Sequence, residues 1–382
     1  MSEPTTRVSD FTLPAYGERS LGDVVPAVAR GLGIDASVAG AAPTGLLLPD
    51  AAAYVVFLVD GLGSELLRRY GHVAPFLSSL VEGGAVGTSG VPSTTATSLT
   101  SFGTGLVPGV HGLIGFTSRI PGTDRLINHL SWDKQVDPLE WQPHPTAFAR
   151  LTAAGVHVSV VNKREFGGSG LTVAAHRGAT YVGANRVGER IAAMVDAAAH
   201  TPSLTYVYDS DLDWTGHKFG VASMQWLQQL AMVDAEAEQM REALPHSVRL
   251  VVVADHGMVD SAIESRVDVD EVVELRDGVD LLGGEARFRH LYCSRGSVDA
   301  VVATWREVLA DRALVLTRDD AIARGWFGEV ATGVLPRVGD VLVACRGDAA
   351  IVSTIDFPYE KTLVGMHGSL TPAEMLIPIL VS

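Results

Sequence analysis

Four stretches of the chain are almost continuously apolar: AYVVFLV before Asp60, VHVSVVN up to Asn162, SLTYVYD up to Asp209, and VRLVVVAD up to Asp255. Runs of this length, bounded by turn residues, read as parallel strands buried on both faces. Between them the apolar positions recur at helical spacing. The pattern predicts helices over Leu21–Leu32, SELLRRY (64–70), Pro75–Val81, PTAFARLTAAG (145–155), Arg186–Ala199 and Ser223 to about Leu244, with a short strand at Ala85–Ser89. Strand and helix alternate. That order predicts an α/β fold with a doubly wound, mainly parallel sheet and helices on both faces.

Two regions break the rhythm. Residues 106–144, with Trp132, Trp141 and several prolines, read as a cap or loop region. Residues 259–334 read as a small inserted α+β subdomain: acidic segments, Gly283-Gly284, a strand ARFRHLYC, a helix VVATWREVLA and a strand ALVLT. The core sheet is expected to resume with GDVLVAC (339–345) and to close with VGMHGSLTPAEMLIPILV (364–381). An approach containing Gly and Pro, AAPTGLLLPD (41–50), leads into the first core strand.

The composition narrows the function. A net charge of −15 argues against binding polymeric nucleic acid, which requires Lys and Arg to neutralise phosphates. An acidic protein that handles phosphate needs local positive charge, most simply metal ions. Only two cysteines are present, Cys293 and Cys345, each within an apolar run, so neither a disulfide framework nor a cysteine zinc site is expected. No apolar run approaches the ~18 residues of a membrane span. The start, MSEPTTRVSDF, lacks the basic and apolar segments of a secretory signal, so the expectation is a cytoplasmic protein without membrane contact, as a monomer or small homo-oligomer.

The candidate chemistry lies at the strand ends. Val91 to Gly105 (VPSTTATSLTSFGTG) is rich in Ser and Thr hydroxyls, and Leu99 and Phe102 mark one side of a helical turn. A hydroxyl delivered to the first turn of a helix sits where backbone N–H groups favour anions, although Ser/Thr clusters also serve as helix caps. Asp60 follows the first core strand, where it could act on a ligand or cap SELLRRY. Asp213 and His217 are four apart, on one face of a helix unless Gly216 makes a loop. Asp255-His256-Gly257 ends another core strand, and His367 lies between Met366 and Gly368 in a glycine-rich turn. Each fragment alone could be structural. Together they place mixed carboxylate and imidazole donors at one sheet edge, a set suited to zinc or manganese. Two such ions about 4 Å apart form the clamp used for in-line displacement at phosphorus.

The ordered set of Val-Asp-Gly, a Thr in Pro-x-x-Thr with Thr-Gly nine residues later, Asp-x-x-Gly-His, Asp-His-Gly and a final His-Gly resembles the type I phosphodiesterase/nucleotide pyrophosphatase family. That family belongs to the alkaline phosphatase superfamily, and the likeness runs from about Ala53 to Ile377, implying one alkaline-phosphatase-like catalytic domain over 1–382. The resemblance implies two divalent ions, zinc and/or manganese. Asp60, Thr95, Asp255 and His256 would hold one, and Asp213, His217 and His367 the other. It makes Thr95, rather than Thr94, the nucleophile, because Thr95 is the residue nine before Thr104-Gly105. A phosphothreonine would form by backside attack and be hydrolysed by water.

In one place the chain departs from the family. Nucleotide-cleaving members carry an asparagine after the His-Gly of this segment that bonds a phosphoryl oxygen, and here HGLIGFTSR puts Phe116 there. Ser118, Arg119 and Lys163 are candidates to replace it. Phe116 and Trp214 offer aromatic surfaces to a base. The unsecreted character makes the chain look like the actinobacterial cyclic di-AMP phosphodiesterases, which would make its partner a small cyclic or linear dinucleotide, cleaved to linear pApA and then AMP. Nucleotide pyrophosphatase, phosphonate hydrolase and phosphomonoesterase activities are the enzymatic alternatives. A metal-dependent sensor of phosphate ligands is the non-enzymatic one.

Overall fold

The computed structural model describes residues 11–35, 38 and 44–382. Residues 41–43 of the approach and residues 1–10 of the N-terminal stretch read for a signal lie outside them. Two sheets, of seven and four strands, organise the described residues. Their strands are β1 (Ala53–Val59), β2 (Ala85–Thr88), β3 (His157–Asn162), β4 (Thr180–Gly183), β5 (Ser203–Asp209), β6 (Val248–Val253), β7 (Val279–Glu285), β8 (Phe288–Cys293), β9 (Ala313–Thr317), β10 (Val341–Cys345) and β11 (Leu376–Val381). A seven-stranded sheet runs in the order β2-β11-β6-β1-β5-β3-β4. β1 pairs in parallel with β5 on one side and β6 on the other, and β3 pairs in parallel with β5 and β4. Only β11 reverses, antiparallel to both β6 and β2.

Every residue of β1 and β5 is buried, which is why their sequences are continuously apolar rather than alternating. Helices Val187–Ala198 and Met224–Ala243 pack against the sheet. The parallel register of β1, β5 and β6 brings their carboxyl ends together, so Asp60, Asp209 and Asp255 emerge along one edge. Open α/β sheets place their ligands at such an edge.

The strand expected to resume the core does something else. GDVLVAC forms β10, which joins a second, antiparallel sheet in the order β7-β8-β10-β9. This sheet therefore runs past residue 334 to Cys345. Its strands are buried on both faces: Val341, Val343 and Cys345 face a core containing Trp305, while Leu342 and Ala344 face one containing Phe288, Trp326 and Val91. Burial on both sides writes the same continuous apolar run as a central parallel strand, so the pattern alone could not assign β10 to a sheet.

The second sheet is bolted to the site by an ion pair. Arg287, in the β7–β8 turn, donates Nε and Nη2 to the two carboxylate oxygens of Glu374 at 2.7 Å each, both side chains fully buried. Glu374 also accepts from Ser369 N and Thr371 Oγ1, and so fixes the segment after His367. Glu374→Ala leaves a buried guanidinium unpaired and is expected to cost about 3–5 kcal/mol, read as a lower denaturant midpoint. A change below about 0.5 kcal/mol would mean that the pair does not anchor this layer.

Candidate active site

Thr95 is the first residue of helix α1 (Thr95–Thr104), which is buried throughout and ends at Gly105 in the left-handed conformation. Thr94 is the N-cap but makes no side-chain capping bond. Other hydroxyls of the run are used structurally: Thr100 and Thr104 donate to the carbonyls four residues back, and Ser98 and Ser101 meet Ser89 and His111. Thr95 differs. Its Oγ1 lies 3.4 Å from Asp60 Oδ2 and 3.4 Å from His256 Nε2.

The remaining donors close around the same point. His256 Nε2 lies 3.4 Å from Asp60 Oδ1 and 3.4 Å from Asp255 Oδ2. Asp213 and His217 sit on helix α2 (Asp211–Phe219), so the helical reading of their spacing holds, with 3.3 Å between carboxylate and imidazole. His367 Nε2 is 3.2 Å from His217 Nε2 and 3.8 Å from Asp213 Oδ1. Donor atoms of a four-coordinate ion with bonds of 2.0–2.1 Å are about 3.3–3.4 Å apart. Most of the separations in both groups match that spacing. The rings of His256 and His367 stack at 3.7 Å, so the two groups adjoin.

The orientation of the donors supports the fit. Nδ1 of His217, His256 and His367 each lies within 2.9 Å of a backbone carbonyl, on Gly365, Gly257 and Ser93 respectively. A proton on Nδ1 leaves Nε2 with a free lone pair facing inward, as a metal ligand requires. Asp60 Oδ1, Asp213 Oδ1 and Asp255 Oδ2 are buried with no hydrogen-bond partner among the described residues. Three orphaned carboxylate oxygens at one point need a cation or a proton. Burial, followed by the charges of Asp255 and Asp213, raises the Asp60 carboxyl well above its ordinary range. At His217 burial opposes the charged form, but the Asp213 carboxylate outweighs it and pushes the imidazole up to about 9. The residues fit two divalent ions.

Backbone geometry explains the Val-Asp-Gly and Asp-His-Gly motifs. Gly61 takes φ +77 against Asp213, and its N–H donates to Asp255 Oδ1 at 3.1 Å. Gly257 passes so close to the Ala373 carbonyl that a Cβ would overlap it. Asp60 does not cap the following helix, whose N-cap is Gly63. Its carboxylate instead accepts from Tyr208 and Thr95.

A cavity of about 830 Å³ opens over these donors, and Phe116, Lys163 and Trp214 all line it. Trp214 is 57% exposed, with Lys218 Nζ 4.9 Å from its ring, so it is a surface aromatic rather than a core one. Lys163 is held by Asp211 at 2.6 Å and Ser210 at 2.9 Å. Ser118 and Arg119 do not line the cavity. Ser118 is buried against His129, and Arg119 donates to the Thr123 carbonyl. Of the three candidates to replace the family's asparagine, only Lys163 reaches the cavity, and it is already paired.

Sequence reasoning did not single out Tyr208, Phe166, Glu285, Tyr359 or His176, all of which line the cavity. Tyr208 precedes Asp209 at the end of a core strand, a position that could have marked it. Glu285 and Tyr359 come from the second sheet and from the segment after it, which no strand-end signal reveals. Burial raises the Glu285 carboxyl to about 8, against the pull of the Thr94 side chain and the Phe116 amide.

Solved structures share the fold. The fold is similar to murine ectonucleotide pyrophosphatase/phosphodiesterase 5, at 16% identity over 85% of this chain and 87% of that one, TM-score 0.68. The human protein of the same name gives 17% identity over 86% and 87%, TM-score 0.66. Phosphonoacetate hydrolase from Sinorhizobium meliloti 1021 gives 19% over 88% and 91%, TM-score 0.64. No curated protein sequence matches the chain. Among the described residues no helix is long and apolar enough to cross a membrane. The family model "Type I phosphodiesterase / nucleotide pyrophosphatase" matches residues 54–370, from within β1 to beyond His367, and the chain belongs to that family of metal-dependent phosphoric diester hydrolases.

Proposed function

We propose that the protein hydrolyses nucleotide phosphodiester bonds through a phosphothreonine at Thr95, and that its substrate is cyclic di-AMP, opened to linear pApA and cleaved on to AMP. The observation that carries the chemistry is the Thr95 hydroxyl, 3.4 Å from both Asp60 and His256 at the start of a buried helix. Asp60, Asp255 and His256 with Thr95 would hold one ion, and Asp213, His217 and His367 the other. Such ions, zinc or manganese, supply the charge that lowers the hydroxyl's pKa and steadies the phosphoryl oxygens.

Thr95 Oγ attacks phosphorus, the P–O bond to the leaving nucleoside breaks, and the first-turn amides of α1 face the oxygens that carry negative charge. Water then attacks the phosphothreonine from the side the leaving group vacated and restores the hydroxyl. An inactive threonine-to-alanine variant of the murine relative was solved with AMP, which supports both the threonine's role and a nucleotide ligand.

The finer substrate reading rests on the cavity's two sides. Lys163 and Phe166 follow the end of β3, whereas Phe116 and Tyr359, with ring centroids 6.0 Å apart, come from the segments packed on the second sheet. Aromatic surfaces on both sides of the donor cluster suit a substrate with a nucleoside on each side of its phosphate. The same proposal places the enzyme in the cytoplasm, where free turnover of ATP would be harmful. The value of kcat/KM for cyclic or linear adenine dinucleotides is expected to exceed that for ATP by roughly 10²-fold or more, measured at steady state with manganese. Equal efficiency on ATP would favour a nucleotide pyrophosphatase instead.

A further inference from the structure

We infer that His176 reads the edge of a nucleobase at the far end of a pocket that runs from Thr95 along helix α1. This rests on the reading above that the substrate is a nucleotide. His176 is the last residue of helix Gly170–His176 and only 4% exposed, yet it lines the same cavity as Thr95. Neither of its ring nitrogens has a hydrogen-bond partner among the described residues. A buried polar group left unpaired on both sides is unfavourable and needs a partner. Burial also lowers the imidazole to about 3, so the ring is neutral and offers one donor and one acceptor.

Helix α1 measures how far this group lies from the reacting atom. Thr95, Leu99 and Gly103 are successive positions four apart, each step rising about 6 Å. Leu99 lines the cavity one step from Thr95. At the second step, a Cβ built on Gly103 would lie 3.1 Å from His176 Cδ2. The unpaired imidazole is thus about 12 Å along the helix from the nucleophile, a span filled by a sugar and a base.

Leu99, Phe166, Leu171 and Thr172 line the same cavity. They are mainly apolar, as the faces of a base require, with the polar group kept for its edge. His176 itself is fixed from behind. It stacks on Phe148 with centroids 5.7 Å apart at 23°, and Tyr206 lies 5.0 Å away with its own buried hydroxyl unpaired. Among the described residues lining the cavity Lys163 is the lysine, and its ammonium is paired with Asp211, which leaves it less available to a phosphate. A neutral ring system with donors and acceptors on its rim fits both the walls and the end.

The test compares two chromogenic diesters on the metal-loaded enzyme: the p-nitrophenyl ester of adenosine 5′-phosphate, and bis(p-nitrophenyl) phosphate, which carries no base. H176F should lower kcat/KM about tenfold for the nucleoside ester and leave it unchanged for the base-free one. H176Q, which keeps a donor and an acceptor, should retain most of the preference. Equal loss on both esters would assign His176 a purely structural role and overturn the inference, as would no loss on either. If wild-type enzyme turns over neither ester, the phosphodiesterase reading fails. AMP and inorganic phosphate binding by calorimetry then decides the pocket separately: weaker AMP binding by H176F with phosphate binding unchanged supports it, and any other pattern overturns it.

Discussion

Thr95→Ala is expected to abolish turnover, by roughly 10³-fold or more, while substrate and metal binding largely persist. Thr95 starts a buried helix capped at Thr94, and its hydroxyl meets Asp60 and His256 rather than a helix amide, so alanine fits the fold. What is lost is the only hydroxyl among the described residues that lies 3.4 Å from both Asp60 and His256. Thr94→Ala should cost far less, because the Thr94 side chain meets Glu285 rather than Asp60 and His256. Single-turnover kinetics with each variant measure the difference, and the reverse ranking would shift the nucleophile by one residue.

Asp255→Asn should be nearly as damaging for a different reason. Asp255 Oδ1 accepts from Gly61 N at 3.1 Å and His256 N at 3.0 Å, and an asparagine oxygen preserves both bonds. Its Oδ2 is the orphan directed at His256 and the donor cluster. The substitution therefore removes a charged ligand and leaves the turn in place. Activity should fall by roughly 10³-fold, with the loss of one bound ion per chain and a smaller rise in Tm on adding metal. The metal-free Tm should not fall, because one of the carboxylates crowding Asp60 is gone. Wild-type metal content and turnover in this variant would remove Asp255 from the site.

Much of this was legible because parallel strands deliver residues to one edge. Asp60, Asp255 and the Asp213–His217 pair each follow a continuously apolar run, and the register of β1, β5 and β6 converts those separate runs into one cluster. His367 was visible through its glycines, although it reaches the cluster from a turn far along the chain. The second sheet was harder. β10 carries the pattern of a core strand because it is buried on both faces, and only pairing partners distinguish the two cases. The substrate contacts were harder still. Lys163, a candidate to replace the asparagine, is paired with Asp211, and Ser118 and Arg119, near Phe116 in sequence, do not line the cavity. Glu285, Tyr359 and His176 carry no local signature, since what makes them notable is the cavity they share.

The central claim is that phosphorus passes through a covalent bond to Thr95. Acid quench during a single turnover of a dinucleotide substrate, followed by peptide mass spectrometry, tests it most directly. The account predicts a transient phosphate on the peptide from Val91 to Gly105, located at Thr95 and absent from the Thr95→Ala variant. Product formed at full rate with no phosphopeptide, or with the phosphate on Thr94, would contradict it.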